Sequence, residues 1–268
     1  MEARVAGDGG ASWAEIAYEA IAPVYDDFTA HHDYELWLGE LLKLAEAHGL
    51  RGRRLLDVGC GTGKSFIPML AKGWTVAACD ISPAMVALAR EKVGEAAELA
   101  VADMRELPRF GAFDLVWCLD DAVNYLLEPA ELERALSGMR GNLGPGGVLI
   151  FDVNLLQTYR GFFSEEVVLE RDGRRLIWRG RGDPDLTPGS VVEASFEVEA
   201  LEPGRAGIAP ELHRQRHFPD AEIRAVVAGA GLQLLDSYGH GEDGIPAQPL
   251  DEAGHTKGIY VAAAAAGG

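Results

Sequence analysis

Three glycines at alternate positions, Gly59, Gly61 and Gly63, close one apolar run and open another of different period. Residues 53–60 read as a buried strand. Residues 63–72 carry apolar side chains at helical spacing. A glycine-rich turn between strand and helix admits positive φ and lets bare backbone approach a bound molecule. In doubly wound α/β sheets such turns lie at the carboxyl ends of the strands, where ligands bind.

The surrounding pattern extends that reading. Residues 12–22 and 33–49 are predicted helices, the second stopped by Gly49 and Gly52. Residues 74–80 read as a second strand. Ser82 and Pro83 then cap and begin a helix that runs to about Val93. Further strands are expected at 98–104, 113–120 and 148–154, with a helix at 129–142. Strands alternating with helices at this spacing imply right-handed crossovers and a parallel sheet covered on both faces.

After residue 160 the period becomes two. Asp172-Gly173 is a hairpin turn signal between alternating runs. Residues 164–218 are therefore expected to form an inserted antiparallel meander, the usual place for a lid over a cleft. A helix at 219–229 and strands at 231–239 and 258–265 complete the α/β unit as an antiparallel hairpin. The division expected is 1–160, 164–218 and 219–263. The N-terminal stretch and the Ala/Gly run after Val261 read as loose tails.

Charge narrows the function. Against 24 Lys and Arg stand 42 Asp and Glu, a net charge of −18, which disfavours phosphate backbones and anionic lipid. The arginines between 171 and 181 alternate with acids and read as a solvated strand pair. Cys60, Cys79 and Cys118 have no CxxC spacing and sit in apolar runs, so buried free thiols of a reduced, cytoplasmic protein are expected. No apolar run is long enough to span a bilayer, and the opening stretch lacks the basic and apolar segments of a secretory signal. No HExxH, cysteine cluster or carboxylate array suggests a metal, and no GxSxG suggests a hydrolase.

Acids follow the glycine turn in register. Asp57 precedes Gly59, Asp80 ends the second strand and Asp103 ends the third, with Met104 after it. An acid in the position of Asp80 can hold both hydroxyls of a ribose. Asp103 and Met104 can flank an adenine. A nicotinamide-binding protein is the rival, but its pattern wants a glycine where Lys64 stands.

Taken in order, DVGCGTG at 57–63, CDIS at 79–82, Met85, ADM at 102–104, FDLVWC at 113–118 and LGPGGVLIFD at 143–152 resemble the class I S-adenosylmethionine (SAM)-dependent methyltransferases of the small-molecule type. The resemblance implies a Rossmann-like, seven-stranded sheet with an antiparallel C-terminal hairpin and an inserted antiparallel β lid. It also implies SAM as cofactor, with Gly59 and Gly61 against the methionine moiety, Asp80 and Ile81 at the ribose, and Asp103 at the adenine. Asp57 would support the turn and reach the methionine end through water, and Met85, Leu119 and Asp120 would lie beside the cofactor.

The opening Tyr18…Pro23-Val24-Tyr25-Asp26 is similar to a segment that closes over SAM in these families, which makes Tyr25 and, less directly, Tyr18 candidates. Asn124, Tyr125 and Arg216 are candidate acceptor contacts, and Asp121 is equally readable as a helix cap. Methyl transfer is an in-line displacement that needs orientation and, for a protonated acceptor, a base. His31, His32, His213 and His217 are the candidates, because they lie on the segments expected to frame the cleft. His213, Gln215 and His217 share one strand face. The expected function is methyl transfer to oxygen or nitrogen of a small molecule by a monomer or homodimer. The alternative is a SAM-bound protein that rearranges or binds without methylating.

Overall fold

The computed structural model describes residues 12–30, 32–240 and 244–265. The expected N-terminal tail up to residue 11 and candidate His31 lie outside these residues. Helix α1 (Trp13–Phe28) begins at a capping box: the Glu15 amide donates to Ser12 Oγ at 3.1 Å and the Ser12 amide donates to the Glu15 carboxylate at 3.3 Å. It does not stop at residue 22, as the sequence suggested. It runs through Pro23 to Phe28, so Tyr18 and Tyr25, seven residues apart, fall on one face. Helix α2 (Tyr34–Ala47) follows, capped by Asp33.

The alternating half then unfolds in order: β1 (Arg54–Val58), α3 (Ile67–Ala71), β2 (Thr75–Asp80), α4 (Pro83–Val93), β3 (Glu98–Val101), β4 (Phe113–Cys118), α5 (Pro129–Gly141) and β5 (Leu143–Asn154). Helix α3 is shorter than predicted, five residues with Pro68 in its first turn. As predicted, Ser82 caps α4 and Pro83 occupies its first turn.

After α6 (Leu156–Arg160) come β6 (Glu166–Arg171), β7 (Arg174–Gly180), β8 (Val191–Ala200) and β9 (Ile208–Arg216), a four-stranded antiparallel meander. Helix α7 (Asp220–Gly229), β10 (Leu232–His240), β11 (Pro246–Ala247) and β12 (Lys257–Ala264) return to the first sheet. Its order is β11-β10-β12-β5-β4-β1-β2-β3. The strands β1 to β5 pair in parallel, and β12 inserts antiparallel between β5 and β10. The seven expected strands are thus joined by an eighth of two residues at the edge. The alanines 262–264 are paired within β12, as the expected strand over 258–265 requires and not as a loose tail.

Apolar clusters cover both faces of the large sheet, and a third lies under the meander. There Leu176, Trp178, Val192 and Phe196 bury against Ile21 and Val24 of α1. Each such large side chain contributes about 1.5–3 kcal/mol when fully buried. Charged pairs take the outer face, with Arg175 between Glu170 and Glu199 and Arg179 between Glu166 and Glu197. The arginine-rich stretch is therefore a solvated, internally neutralised strand pair. Helix α1 is consequently held between the meander and helix α4, with one aromatic face toward the glycine turn.

Candidate active site

The turn after β1 has the bare backbone that the sequence demanded. Gly59 and Gly61 hold φ of +77° and +52°, and a Cβ on Gly59 would meet that of Ala122 at 3.0 Å. Asp80, at the end of β2, is 8% exposed; its carboxylate accepts the Gly61 amide at 2.8 Å and the Ser82 amide at 2.9 Å. Burial raises its pKa despite those bonds. Around this turn opens a cavity of about 410 Å³.

Gly59, Gly61, Asp80, Ile81, Asp103 and Met104 line one part of it, and Tyr18, Tyr25, Leu119 and Asp120 another. A Cβ on Gly61 would lie 3.7 Å from the Tyr25 ring, so the tyrosine covers the turn. Asp103 is gripped by Arg105, whose Nη2 donates to it at 2.6 Å and whose Nη1 reaches Glu131 at 3.1 Å. Although burial works against it, Arg105 holds the Asp103 carboxyl below the usual range.

Two expected cofactor contacts lie elsewhere. Asp57 is enclosed beneath the turn, where Ser65 Oγ donates to it, and burial pushes its pKa up to about 7. Met85 is fully buried in the apolar cluster shared with α1. Both hold the floor in place instead of lining the cavity.

A second cavity, of about 480 Å³, lies between α1 and the meander. Tyr18, Tyr25, Tyr34, Asp120 and Tyr125 line both spaces and form the wall between them. Asp120 and Asp121 are adjacent non-glycine residues with φ of 56° and 53°. Each such conformation costs on the order of 1–3 kcal/mol and persists only where its surroundings enforce it. Here the Tyr34 hydroxyl donates to Asp120, Gln215 Nε2 donates to Asp121 at 2.6 Å, and the Asp121 amide donates to Asp152 at 3.2 Å. The Asp121 side chain makes no cap bond to the turn that follows.

The candidate bases separate by position. His32 lines the second cavity with Nε2 3.9 Å from Asp120. His213 also lines it, with Nδ1 2.8 Å from the Tyr125 hydroxyl, but complete burial pulls its pKa down to about 4. His217 lines neither cavity; its Nδ1 accepts the Gly189 amide and its ring stands edge-on to Tyr159. Of the acceptor candidates, Tyr125 is in the shared wall, whereas Asn124 and Arg216 are not. Asn124 is fully buried and stitches β9 to β5, donating to the Arg216 carbonyl at 2.8 Å and accepting the Asn154 amide at 3.0 Å. Arg216 pairs with Glu222 and covers the Phe218 ring.

Three residues at these cavities carried no recognisable sequence signal. Lys64 lines the first, where its ammonium reaches only neutral acceptors, Thr29 Oγ1 at 2.6 Å and the Asp26 carbonyl at 3.2 Å. Tyr34 comes from α2, far from any motif. Lys257, the first residue of β12, lines the second cavity and bridges Asp121 and Asp152.

A methyltransferase-domain family model matches residues 55–147, the stretch from β1 to β5. A methyltransferase-family protein of Geobacillus sp. (strain WCH70) is 30% identical over 240 residues, covering 87% of this chain and 96% of that protein. The dTDP-3-amino-3,4,6-trideoxy-alpha-D-glucopyranose N,N-dimethyltransferase of Streptomyces venezuelae is 27% identical, covering 80% of this chain and 90% of its own. The crystal structure of an S-adenosylmethionine-dependent methyltransferase from Clostridium acetobutylicum superposes with a TM-score of 0.76 at 22% identity, over 92% of this chain and 99% of that one. With the glycine turn, the strand order and these relatives in agreement, the chain belongs to the class I SAM-dependent methyltransferases.

Proposed function

We propose that this enzyme methylates a nitrogen of a small molecule seated in the second cavity, with SAM held in the first. The observation that carries the reading is the wall common to both cavities, four tyrosines and the Asp120 carboxylate. Aromatic faces and a carboxylate attract a cation such as a sulfonium, and a protonated amine approaching from the other side meets the same groups.

The residues present fit SAM. The glycines leave room that a Cβ would fill, Asp80 suits the ribose hydroxyls, and Asp103 with Met104 suits the adenine. Lys64 suits the carboxylate of the methionine part, since no acidic side chain lies within ion-pair distance of it among the described residues. Bound there, SAM supplies a methyl group on a positively charged sulfur. The chain's own work is then orientation and proton removal. His32, beside Asp120, is placed to take the proton from an ammonium as Asp120 orients and balances the imidazole. His213, with its low pKa, is a weak base near neutrality, and its Nδ1 is engaged by the Tyr125 hydroxyl.

Three relatives are N,N-dimethyltransferases of dTDP-linked amino sugars, which supports nitrogen as the methylated atom. The net charge of −18 supports a small-molecule acceptor over nucleic acid or membrane, and the three buried free thiols support a reduced, cytoplasmic setting for a monomer or homodimer. Among the described residues, no helix is long and apolar enough to cross a membrane. Incubation with methyl-labelled SAM and a panel of small amines and alcohols tests the reading. Label appearing in amines supports it. Tight SAM binding with no label in any acceptor would favour a non-methylating role.

A further inference from the structure

The two ends of the second cavity differ in chemistry. The end toward the meander is apolar and aromatic. Trp178 lies nearly parallel to Phe162, with ring centres 5.1 Å apart and an interplanar angle of 20°. Phe28 meets Phe196 edge-on at 4.9 Å, and Val167 and Leu169 line the same cavity. Phe162, 39% exposed, is the part of this end that reaches solvent. The polar end is the shared wall, with Asp120 and Asp121.

Charge at the polar end is lopsided. Lys257 is the one lysine or arginine among the cavity's lining residues, and its ammonium is 2.7 Å from both Asp121 and Asp152. That cation is already balanced by two carboxylates. Asp120 is left with a hydroxyl from Tyr34 and a histidine 3.9 Å away. A phosphate or carboxylate entering here would be desolvated beside like charges, with no unpaired lysine or arginine among the described lining residues to meet it. An ammonium would be drawn to the same place.

We infer that the acceptor is a predominantly apolar, ring-bearing amine, whose body lies among Phe28, Phe162, Trp178 and Phe196 and whose nitrogen points to Asp120, and that nucleotide-linked and carboxylate-bearing amines are excluded. This rests on the methyl-transfer reading above for the role of the site, but the binding chemistry stands on the cavity alone. It sets this chain apart from the relatives named as dTDP-linked amino-sugar N,N-dimethyltransferases. A cavity of about 480 Å³ falls in the range that encloses a drug-sized molecule.

The test is calorimetric titration of the full chain, saturated with S-adenosylhomocysteine, using four probes: naphthylmethylamine, methylamine, glycine and thymidine diphosphate. Naphthylmethylamine should bind at least about tenfold tighter than methylamine, because its ring buries against aromatic side chains. Glycine and thymidine diphosphate should show no heat of binding. Trp178→Ala should weaken naphthylmethylamine by about tenfold and Trp178→Phe by less, with S-adenosylhomocysteine affinity unchanged as the control for folding. Equal binding of methylamine and naphthylmethylamine, or binding of thymidine diphosphate, overturns the inference. So does a folded Trp178→Phe and Trp178→Ala pair with wild-type affinity. Labelled-methyl transfer is measured separately. Selective binding of the aromatic amine with no transfer leaves this inference standing and overturns the methyl-transfer reading.

Discussion

The Lys257 ammonium lies 2.7 Å from the Asp121 carboxylate, and with it ties the first residue of β12 to the loop after β4. It lies equally close to Asp152, which is fully buried on β5. Burial alone would lower the lysine pKa, but the two carboxylates override it and hold the ammonium protonated. The same bridge holds Asp120 and Asp121 in their left-handed backbone, which is how Asp120 comes to face both cavities. Lys257→Met should therefore lower stability by about 3–5 kcal/mol, since it leaves buried carboxylates without their cation. Urea unfolding measures this. Unchanged stability would show that the loop is held by Tyr34 and Gln215 alone.

Asp80 accepts two backbone amides and still faces the first cavity. Asp80→Ala should weaken SAM by about 1–3 kcal/mol, because both ribose hydroxyls lose an acceptor. Calorimetric titration of a folded variant checks the loss, and full SAM affinity would remove Asp80 from the binding site.

Lys64 offers a sharper discrimination. Its ammonium touches neutral oxygens and lies over the Tyr34 ring at 5.7 Å. Lys64→Met should weaken SAM by about 1.5–3 kcal/mol, the range for a hydrogen bond to a charged group. Decarboxylated SAM should bind the variant and the wild type alike. Equal losses for both compounds would mean that the lysine supports the fold of the turn and reads no carboxylate.

The parallel half of the fold was legible because its signals are local. Strand and helix periods, the Ser82-Pro83 start and the glycine turn each stand within a few residues of one another. The continuation of α1 through Pro23 was not legible, since proline ordinarily ends a helix. Here α1 continues while packed between the meander and α4, and its continuation is what aligns Tyr18 with Tyr25. Asn124 and Arg216 illustrate the opposite failure. Polar residues near a cleft look like ligand contacts in sequence, but both are consumed in pairing β9 and α7 to their neighbours. Lys257 and the aromatic end of the second cavity are products of tertiary assembly. A lone lysine before an apolar strand and scattered phenylalanines read as ordinary surface and core.

Asp57 makes stability depend on pH. Its folded pKa stands at about 7 against an ordinary 3.8, because burial outweighs the bond from Ser65. Between these values the folded chain keeps a proton that the unfolded chain has released. The carboxyl's contribution is therefore full below about pH 4 and is lost as pH rises through about 7. Asp57→Asn abolishes that titration. Wild type should lose stability relative to the variant by up to about 1.4 kcal/mol per pH unit across this window. Parallel pH profiles of the two proteins in urea unfolding would contradict the assignment.

His32 and His213 both line the second cavity, but they differ in burial and in partners. His32 adjoins Asp120, whereas burial holds His213 at a pKa of about 4 and Tyr125 engages its Nδ1. A base must be within reach of the acceptor proton and titrate close to the working pH. His32→Ala should lower kcat by about 10²–10⁴ with S-adenosylhomocysteine affinity preserved, and the pH–rate profile should lose its acidic limb. His213→Gln should keep that limb, because the wild-type ring is neutral throughout the working range. Its signature is in stability. A histidine depressed from 6.5 to about 4 favours the fold fully above pH 6.5 and loses that contribution as pH falls toward 4, a loss the glutamine variant should not show. If His32→Ala retains kcat and its acidic limb, the proton leaves through Asp120 or the acceptor binds already neutral. Asp120→Asn then decides between them: a collapse of kcat identifies the carboxylate, and retained kcat means that the site only positions the amine.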